Sequence, residues 1–267
     1  MDIFSKRFGD WALVAGAAEG IGAAFCDALA RRKINLAMVD TKEQALNETA
    51  DRIEYSYHIK TKRLFQDLSK KDAWLICLKF IEMLDCRVLI YIPAYSPVKS
   101  FLSNSPEELD KYLWLNSFTP IHMVHAFVER SMAAGSGAIV LMSSLAGLIG
   151  PKFVAPYAAT KAFNVALAES LFHELHSHSI AITACCAGPT STPTYWLSLP
   201  NDQKTTPKVM ESITVAEYAL KNLGRKAITI PGWKNRLFYA ILIHLLPRKI
   251  AGCLVSRAMG KMYASIS

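Results

Sequence analysis

Short apolar runs alternate along the chain with longer stretches that suit helices. The runs are rich in branched residues and bounded by turn residues, which predicts buried strands. The predicted strands cover residues 11–15, 34–39, 63–68, 86–92, 138–142, 180–185 and 227–230. Helices are predicted at residues 23–31, 72–84 and 106–130. One further helix is predicted to end at residue 53, and another to run from residue 157 to at least 167. This alternation predicts an α/β fold, with a doubly wound, mostly parallel sheet of about seven strands and helices on both faces.

The sequence changes character after the last predicted strand. We divide the chain there into a domain of residues 1–232 and a C-terminal helical extension of residues 233–267. Residues 237–246 are almost entirely apolar, and Pro247 separates them from the amphipathic stretch 248–262. Ten apolar residues make about 15 Å of helix, half of a bilayer core. We therefore expect no membrane-spanning helix.

A serine, a tyrosine and a lysine bear the clearest chemistry. Ser144 ends an apolar strand 13 residues before Tyr157. Tyr157 and Lys161 are four residues apart in one predicted helix, so their side chains share a face. A neighbouring ammonium favours the phenolate, so we expect the tyrosine pKa to fall from about 10 towards neutrality. Tyr157 would then donate or accept a proton, and Ser144 could hold the substrate oxygen.

A glycine-rich turn joins the first predicted strand to the first predicted helix. In this order of elements, the pyrophosphate of a dinucleotide lies on the helix N-terminus. Gly16 allows the tight turn, Gly20 the close approach of the backbone, and Gly22 the close packing of the helix. We expect Glu19 and Ile21 to contribute to the same site.

Together these residues resemble the short-chain dehydrogenase/reductase family over roughly residues 8–232. A Tyr-x-x-x-Lys pair alone is common on helix surfaces; the serine and the glycine turn carry the resemblance. It implies a Rossmann-like fold, a nicotinamide cofactor, and interconversion of carbonyls and alcohols. Tyr157 would be general acid in reduction and general base in oxidation. Lys161 would lower its pKa and bind the nicotinamide ribose, and Ser144 would orient the carbonyl or alcohol.

The resemblance implies further site residues. Additional cofactor contacts are implied at Asp67, Leu68, Ala94, Gly188, Thr190 and Thr192. Of these, Asp67 and Leu68 match the pair that borders the adenine, and Thr192 matches the threonine that contacts the nicotinamide amide. Asn116, inside the predicted helix 106–130, matches an asparagine that holds a water between the lysine and solvent.

The chain departs from the family pattern in three places. Ala15 replaces the usual threonine, and Ala187 replaces a proline. The strand 86–92 leads into Tyr-Ile-Pro-Ala, where the family has Asn-Asn-Ala-Gly, so Ile92 removes an amide and Pro93 removes a backbone donor. The sequence does not show what supports this strand end. The same departures leave open the alternative that the protein is a non-catalytic nucleotide-binding scaffold.

The choice of cofactor is predicted from Asp40, which ends the second strand. A carboxylate there can accept hydrogen bonds from the adenosine ribose and repels a 2′-phosphate. NADP-using relatives tend to carry a basic residue at one of two positions, which hold Glu19 and Thr41 here. We therefore predict NAD(H). The alternatives are an NADP(H)-dependent ketone or acyl reductase and an Asp40 that only caps the next helix.

Composition narrows the class of protein. The chain of 267 residues is 52% apolar and 19% charged, as expected of a folded globule. Its net charge is +8, and after Glu217 nine cations follow without one carboxylate. These cations are interleaved with apolar residues, which argues against nucleic-acid binding. The six cysteines lack metal or disulfide spacing, so we expect free thiols and a reducing compartment. The first eleven residues are too mixed for a secretory signal.

Two other features bear on ligands. The histidines His173, His176 and His178 are close in sequence, but no carboxylate or thiol completes a metal site, so no metal is predicted. The loop 194–209 is expected to cover the substrate. It contains Tyr195, Trp196, Leu197 and Leu199. These residues suggest an apolar ligand, although packing against the domain would explain them equally well.

The expected function is hydride transfer between NAD(H) and a secondary alcohol or ketone. The apolar loop and extension favour a small lipophilic substrate, such as a sterol or a long-chain lipid. For residues 233–262 two interpretations remain open. One is an interfacial anchor or hydrophobic entrance, whose basic flanks meet anionic head groups. The other is a helical hairpin packed on the domain or on a second subunit. We expect a cytoplasmic homodimer or homotetramer, with membrane association left open.

Overall fold

The computed structural model describes residues 7–200 and 209–264. Its strands are β1 (Trp11–Ala15), β2 (Asn35–Asp40), β3 (Thr61–Phe65), β4 (Cys86–Tyr91), β5 (Gly137–Ser144), β6 (Ile180–Ala187), β7 (Thr190–Ser191), β8 (Met210–Glu211) and β9 (Ile228–Thr229). Seven of them form one parallel sheet in the order β3-β2-β1-β4-β5-β6-β9, and β7 pairs with β8 separately. The predicted doubly wound α/β fold is confirmed.

Helices cover both faces of this sheet. They are α1 (Gly20–Arg31), α2 (Glu43–Tyr57), α3 (Ala73–Phe80), α4 (Pro106–Leu113), α5 (Thr119–Ala134), α6 (Ala155–Glu174), α7 (Pro193–Ser198), α8 (Ser212–Asn222), α9 (Trp233–Ala240) and α10 (Arg248–Met262). Buried side chains of α1, α2 and α8 form one apolar layer with the sheet. Those of α3, α5 and α6 form the other. The strands β1, β2, β4, β5 and β6 between them are mostly buried on both sides, as parallel sheets require.

The third strand begins and ends earlier than predicted. Thr61 starts it because both its N–H and its hydroxyl donate to Glu54 of α2. The strand stops at Phe65, and the Asp67 carboxylate turns back to accept hydrogen bonds from the backbone and hydroxyl of Ser69. Asp67 and Leu68 therefore lie in the loop beyond the strand end, where a ligand can reach them.

The helix predicted over residues 106–130 is present, but it is not a regular α-helix throughout. The structure has α4, then a π-helical segment Trp114–Phe118, then α5. The wider turn leaves the carbonyl of Leu115 free to accept a hydrogen bond from the Tyr91 hydroxyl at 2.7 Å. Asn116 lies in this segment and is fully buried. Such segments often occur at functional sites.

The extension packs on its own domain. Tyr239, Leu242 and Ala251 are buried in the same apolar layer as β4, β5 and β6. The backbone N–H of Lys152 donates to the Ser256 hydroxyl at 3.3 Å. These contacts favour the interpretation that the extension is a helical hairpin whose inner face packs on the domain. No helix in the described ranges has both the length and the apolar character that crossing a bilayer requires.

Candidate active site

The carboxyl ends of the parallel strands open into a cavity of about 860 Å³. It runs from the glycine turn between β1 and α1 to the inner face of the extension. Fourteen of the predicted site residues line it: Gly16, Glu19, Gly20, Ile21, Asp40, Asp67, Leu68, Ala94, Ser144, Tyr157, Lys161, Gly188, Thr190 and Thr192. Gly22 and Asn116 lie outside its lining. The structure thus brings together residues that are spread over more than half of the sequence.

The glycine turn has the shape that a pyrophosphate site needs. Gly16 and Gly20 adopt positive φ angles of +77° and +57°, which favour glycine. A side chain at Gly22 would place its Cβ 1.7 Å from the carbonyl oxygen of Gly16, so the helix can start this close to the strand only with glycine there. Glu19, the residue before α1, makes no side-chain cap. The first N–H groups of α1 therefore remain available for an anion, and the turn fits a dinucleotide.

Thr49 is a supporting residue that the sequence did not reveal. Its hydroxyl, on α2, donates to the carbonyl of Ala18 in the glycine turn at 2.8 Å. The family threonine that Ala15 replaces would have been one support of this loop. Thr49 supplies a hydrogen bond to the same turn from a different element. A threonine in the middle of an ordinary helix gives no signal of this role in the sequence.

Asp40 is held rigidly at the end of β2. Its carboxylate accepts hydrogen bonds from the backbone N–H groups of Ala18, Thr41 and Lys42, at 3.0, 2.7 and 3.1 Å. The cap position of α2 is Lys42, so the interpretation of Asp40 as that helix's N-cap residue is wrong. The Lys42 ammonium lies 2.6 Å from the Glu19 carboxylate, and both line the cavity. The Lys42 ammonium thus lies near this end of the site. Lys42 is not one of the two positions, Glu19 and Thr41, at which NADP-using relatives tend to carry a basic residue.

Ser144, Tyr157 and Lys161 meet where β5 ends and α6 begins. Ser144 is the last residue of β5, and its side chain and that of Tyr157 both line the cavity. The Lys161 ammonium lies 5.8 Å from the centre of the Tyr157 ring. It is buried and donates to the backbone carbonyl of Met142 at 2.6 Å. Among the described residues no carboxylate forms an ion pair with it.

The expected fall in the tyrosine pKa is wrong for the protein in this state. Burial raises the pKa of Tyr157, and the hydrogen bond from Ser144 opposes that rise only in part. Burial also lowers the pKa of Lys161 to about 8, against a smaller opposing effect of Cys186. Both shifts have the same cause, because each charged form loses its hydration. The lysine is therefore under pressure to give up the charge that would stabilise the phenolate.

Asn116 anchors the loop after β4, where the chain departs from the family pattern. Its side-chain oxygen accepts the N–H of Tyr95 at 2.8 Å, and its nitrogen donates to the Tyr95 carbonyl at 3.0 Å. The same nitrogen donates to the Thr160 hydroxyl on α6 at 3.0 Å. Together with the hydrogen bond from Tyr91 to Leu115, these contacts support the strand end without the usual asparagines.

The extension contributes four apolar or aromatic residues to the wall of the cavity. Tyr239, Val255, Met259 and Tyr263 line it opposite the glycine turn. Within the predicted substrate loop Tyr195 faces the cavity, whereas Leu197 is 85% exposed. The Trp196 indole instead donates to the Ser191 hydroxyl at 3.2 Å. Of the four apolar and aromatic loop residues singled out in the sequence, only Tyr195 lines the cavity. Residues 201–208 of that loop lie outside the described ranges.

The three histidines lie apart from this chemistry, and the cysteines form neither a disulfide nor a metal site among the described residues. His173 is on α6, while His176 and His178 are in a short 3₁₀ turn after it. In the described part of the chain no group of three or more His, Cys, Asp and Glu side chains is arranged to hold a metal ion. All six cysteines are free, as predicted; Cys253 is exposed and the other five are buried.

The match to a family model is extensive. A model described as short chain dehydrogenase matches residues 10–202. A 7β-hydroxysteroid dehydrogenase of Clostridium sardiniense is 28% identical over 233 residues, which are 87% of this chain and 89% of that protein. A very-long-chain 3-oxoacyl-CoA reductase of Lodderomyces elongisporus is 30% identical over 191 residues, 67% of this chain and 54% of that protein.

Solved structures resemble the fold, and for one of them the match extends over nearly the whole chain. One, from work on 7β-hydroxysteroid dehydrogenase stereoselectivity, has a TM-score of 0.88 and 25% identity, and the match covers 97% of this chain and all of that one. A short-chain dehydrogenase of Sphingobium yanoikuyae in complex with NADPH has a TM-score of 0.78 and 26% identity, with 87% and 91% of the two chains covered.

The burial of Lys161 predicts an unusual dependence of stability on pH. Its folded pKa of about 8 lies below the ordinary 10.5, so the folded state resists the charged form below pH 8. This penalty fades as the pH rises from about 8 to 10.5, where folded and unfolded chains are both neutral at this residue. Lys161→Met should therefore raise the free energy of unfolding at pH 7 by up to about 3 kcal/mol, with a smaller gain at pH 10.

Urea unfolding of the cofactor-free protein at the two pH values measures this effect. Lys71→Met, at an exposed lysine, is the matched control and should change little at either pH. A loss of stability in Lys161→Met at pH 7 would contradict the prediction, since it would mean that the ammonium is well satisfied by the Met142 carbonyl.

Proposed function

Because the chain belongs to the short-chain dehydrogenase family, we propose that it transfers a hydride between NAD(H) and a secondary alcohol or ketone on a lipophilic molecule, with steroids as the favoured class. The observation that carries this proposal is the single cavity that joins three parts. These parts are the glycine turn, the Ser144, Tyr157 and Lys161 set, and the apolar inner face of the extension.

The proposed chemistry divides among three side chains. When bound, the nicotinamide supplies or accepts the hydride. The Tyr157 hydroxyl gives its proton to the substrate oxygen in reduction and takes it back in oxidation. Ser144 lines the same cavity as Tyr157, and its hydroxyl holds the substrate oxygen beside the proton. Lys161 supplies positive charge on the far side of the tyrosine and is fixed there by the Met142 carbonyl.

A rigid, apolar substrate suits the walls of the cavity. The extension presents aromatic and thioether surfaces, and little charge faces them. The hydroxyl of Tyr195 is buried and has no hydrogen-bond partner among the described residues. A buried hydroxyl without a partner is costly, so a polar group at the far end of the substrate would be stabilised there. Relatives named as 7β-hydroxysteroid dehydrogenases support the steroid class.

A second candidate is an NADP(H)-dependent ketone or acyl reductase. Lys42 favours it, because an ammonium at the adenosine end could bind a 2′-phosphate once released from Glu19. A relative named as a very-long-chain 3-oxoacyl-CoA reductase and a neighbour solved with NADPH point the same way. We favour NAD(H) because Glu19 already neutralises Lys42, and three backbone donors keep the Asp40 carboxylate facing the site.

Substitution of the proposed proton donor tests the catalytic roles. Tyr157→Phe should abolish NADH-dependent reduction of ring ketones, at least a thousandfold, and leave NADH binding within about threefold, because only the hydroxyl is lost. Wild-type protein should prefer steroid ketones to polyols and small sugars. Retained turnover in Tyr157→Phe would refute the role of the tyrosine, and efficient turnover of sugars alone would refute the substrate class.

Titration with NADH and NADPH, read by energy transfer from the tryptophans, tests the choice of cofactor. The wild type should bind NADH more tightly. Asp40→Asn keeps a hydrogen-bond acceptor but removes the charge, so it should shift the preference towards NADPH by about tenfold, since one like-charge contact disappears.

Lys42→Ala is the companion variant and should leave NADH affinity nearly unchanged. Tighter NADPH binding by the wild type that is lost in Lys42→Ala would instead establish the second candidate. Binding of neither cofactor would favour the non-catalytic scaffold.

A further inference from the structure

The outer face of the extension is unusually apolar. Twenty-two large apolar side chains are exposed among the described residues, and eight of these lie within residues 233–254. They are Trp233, Leu237, Phe238, Ile241, Ile243, Leu245, Ile250 and Leu254. We call this set the outer apolar face. Scattered apolar side chains need no explanation, but so dense a group usually marks a contact surface.

Basic side chains flank this face without partners of opposite charge. Lys234, Arg248, Lys249, Arg257 and Lys261 are all exposed. Within residues 7–200 and 209–264 none of them forms an ion pair with a carboxylate. The chain contains no Asp or Glu after Glu217, so the extension itself cannot neutralise them. The surface that covers this face must therefore tolerate or supply negative charge.

We propose that the outer apolar face lies on an anionic lipid surface. Its apolar side chains would enter the boundary between head groups and acyl chains, and the flanking cations would meet the lipid phosphates. The helices are too short and too charged to span a bilayer, which fits binding parallel to the surface. A second copy of the chain fits less well, because a twofold contact through this face would oppose cations to cations without a carboxylate on either extension.

The outer apolar face belongs to the same extension that lines the catalytic cavity. The same two helices that expose it present Tyr239, Val255, Met259 and Tyr263 to the catalytic cavity. A lipid-bound protein would thus hold one wall of its cavity against the bilayer. Apolar molecules concentrate in bilayers, so substrate could reach the cavity without crossing water. The membrane contact does not depend on the proposed reaction, and it can be tested without substrate.

Vesicle co-sedimentation of the full chain tests the proposal. The protein should sediment with vesicles of phosphatidylcholine containing 30% phosphatidylglycerol, and far less with phosphatidylcholine alone. Arg248→Gln with Lys249→Gln should lower the partition coefficient about thirtyfold, at about fivefold per cation. The matched control is Lys70→Gln with Lys71→Gln, which removes the same charge from an exposed pair outside the extension and should have little effect.

A second pair of variants tests the apolar contribution. Trp233→Ser, Leu237→Ser and Leu245→Ser together should abolish sedimentation with anionic vesicles. Tyr55→Ser, Met83→Ser and Leu102→Ser are the control, because these side chains are 85–91% exposed outside the extension. A melting curve shows whether each variant folds. If the triple variant of the extension does not fold, the charge variants still test the proposal.

Three results would overturn the proposal. The first is no binding of the wild type to anionic vesicles. The second is equal binding to neutral and anionic vesicles with no effect of the charge variants. The third is a dimer, by light scattering, that becomes a monomer in the triple variant of the extension while vesicles are not bound, which would assign the face to a second copy.

Discussion

The catalytic end of the structure depends on a lysine ammonium buried at the end of β5 with one backbone carbonyl as its acceptor. An ordinary fold would place this charge in water, where it costs nothing. Here α6 is held so that Lys161 donates to Met142 while the Ser143 hydroxyl donates to the Lys161 carbonyl at 2.8 Å. These two bonds tie the end of β5 to α6, the elements that carry Ser144 and Tyr157. The burial of this charge lowers the free energy of unfolding, at the position where the proposed chemistry uses a positive charge.

The extension completes the site from the opposite side. Its inner residues are buried in the same apolar layer as the central strands, so it is part of the fold and not an appended tail. Its outer residues are apolar where a surface should be polar. The same extension therefore lines the cavity on one face and exposes apolar side chains on the other. A short π-helical segment, Ile241–Leu245, lies between its two α-helices.

Much of this was predictable because strong local signals decide it. Gly16 and Gly20 predict the turn, and Tyr157 with Lys161 four residues later predicts the helix that lines the cavity. The π-helical segment was not predictable, since the carbonyl of Leu115 in it accepts its hydrogen bond from Tyr91, a residue of another element. The support from Thr49 and the closeness of Lys42 to Glu19 likewise depend on how separate elements meet. The tyrosine pKa was misjudged because sequence spacing shows a neighbouring charge but not its burial.

We propose that the cavity directs a hydride to a carbonyl carbon while Tyr157 protonates the oxygen. The most direct measurement is reduction of a steroid ketone with NADH carrying two deuterium atoms at C4 of the nicotinamide, followed by mass spectrometry of the alcohol. One deuterium on the carbinol carbon, and none on a hydroxyl that exchanges with solvent, is the predicted result. An alcohol formed without deuterium at that carbon, or no reduction of any steroid or long-chain ketone, would contradict the account.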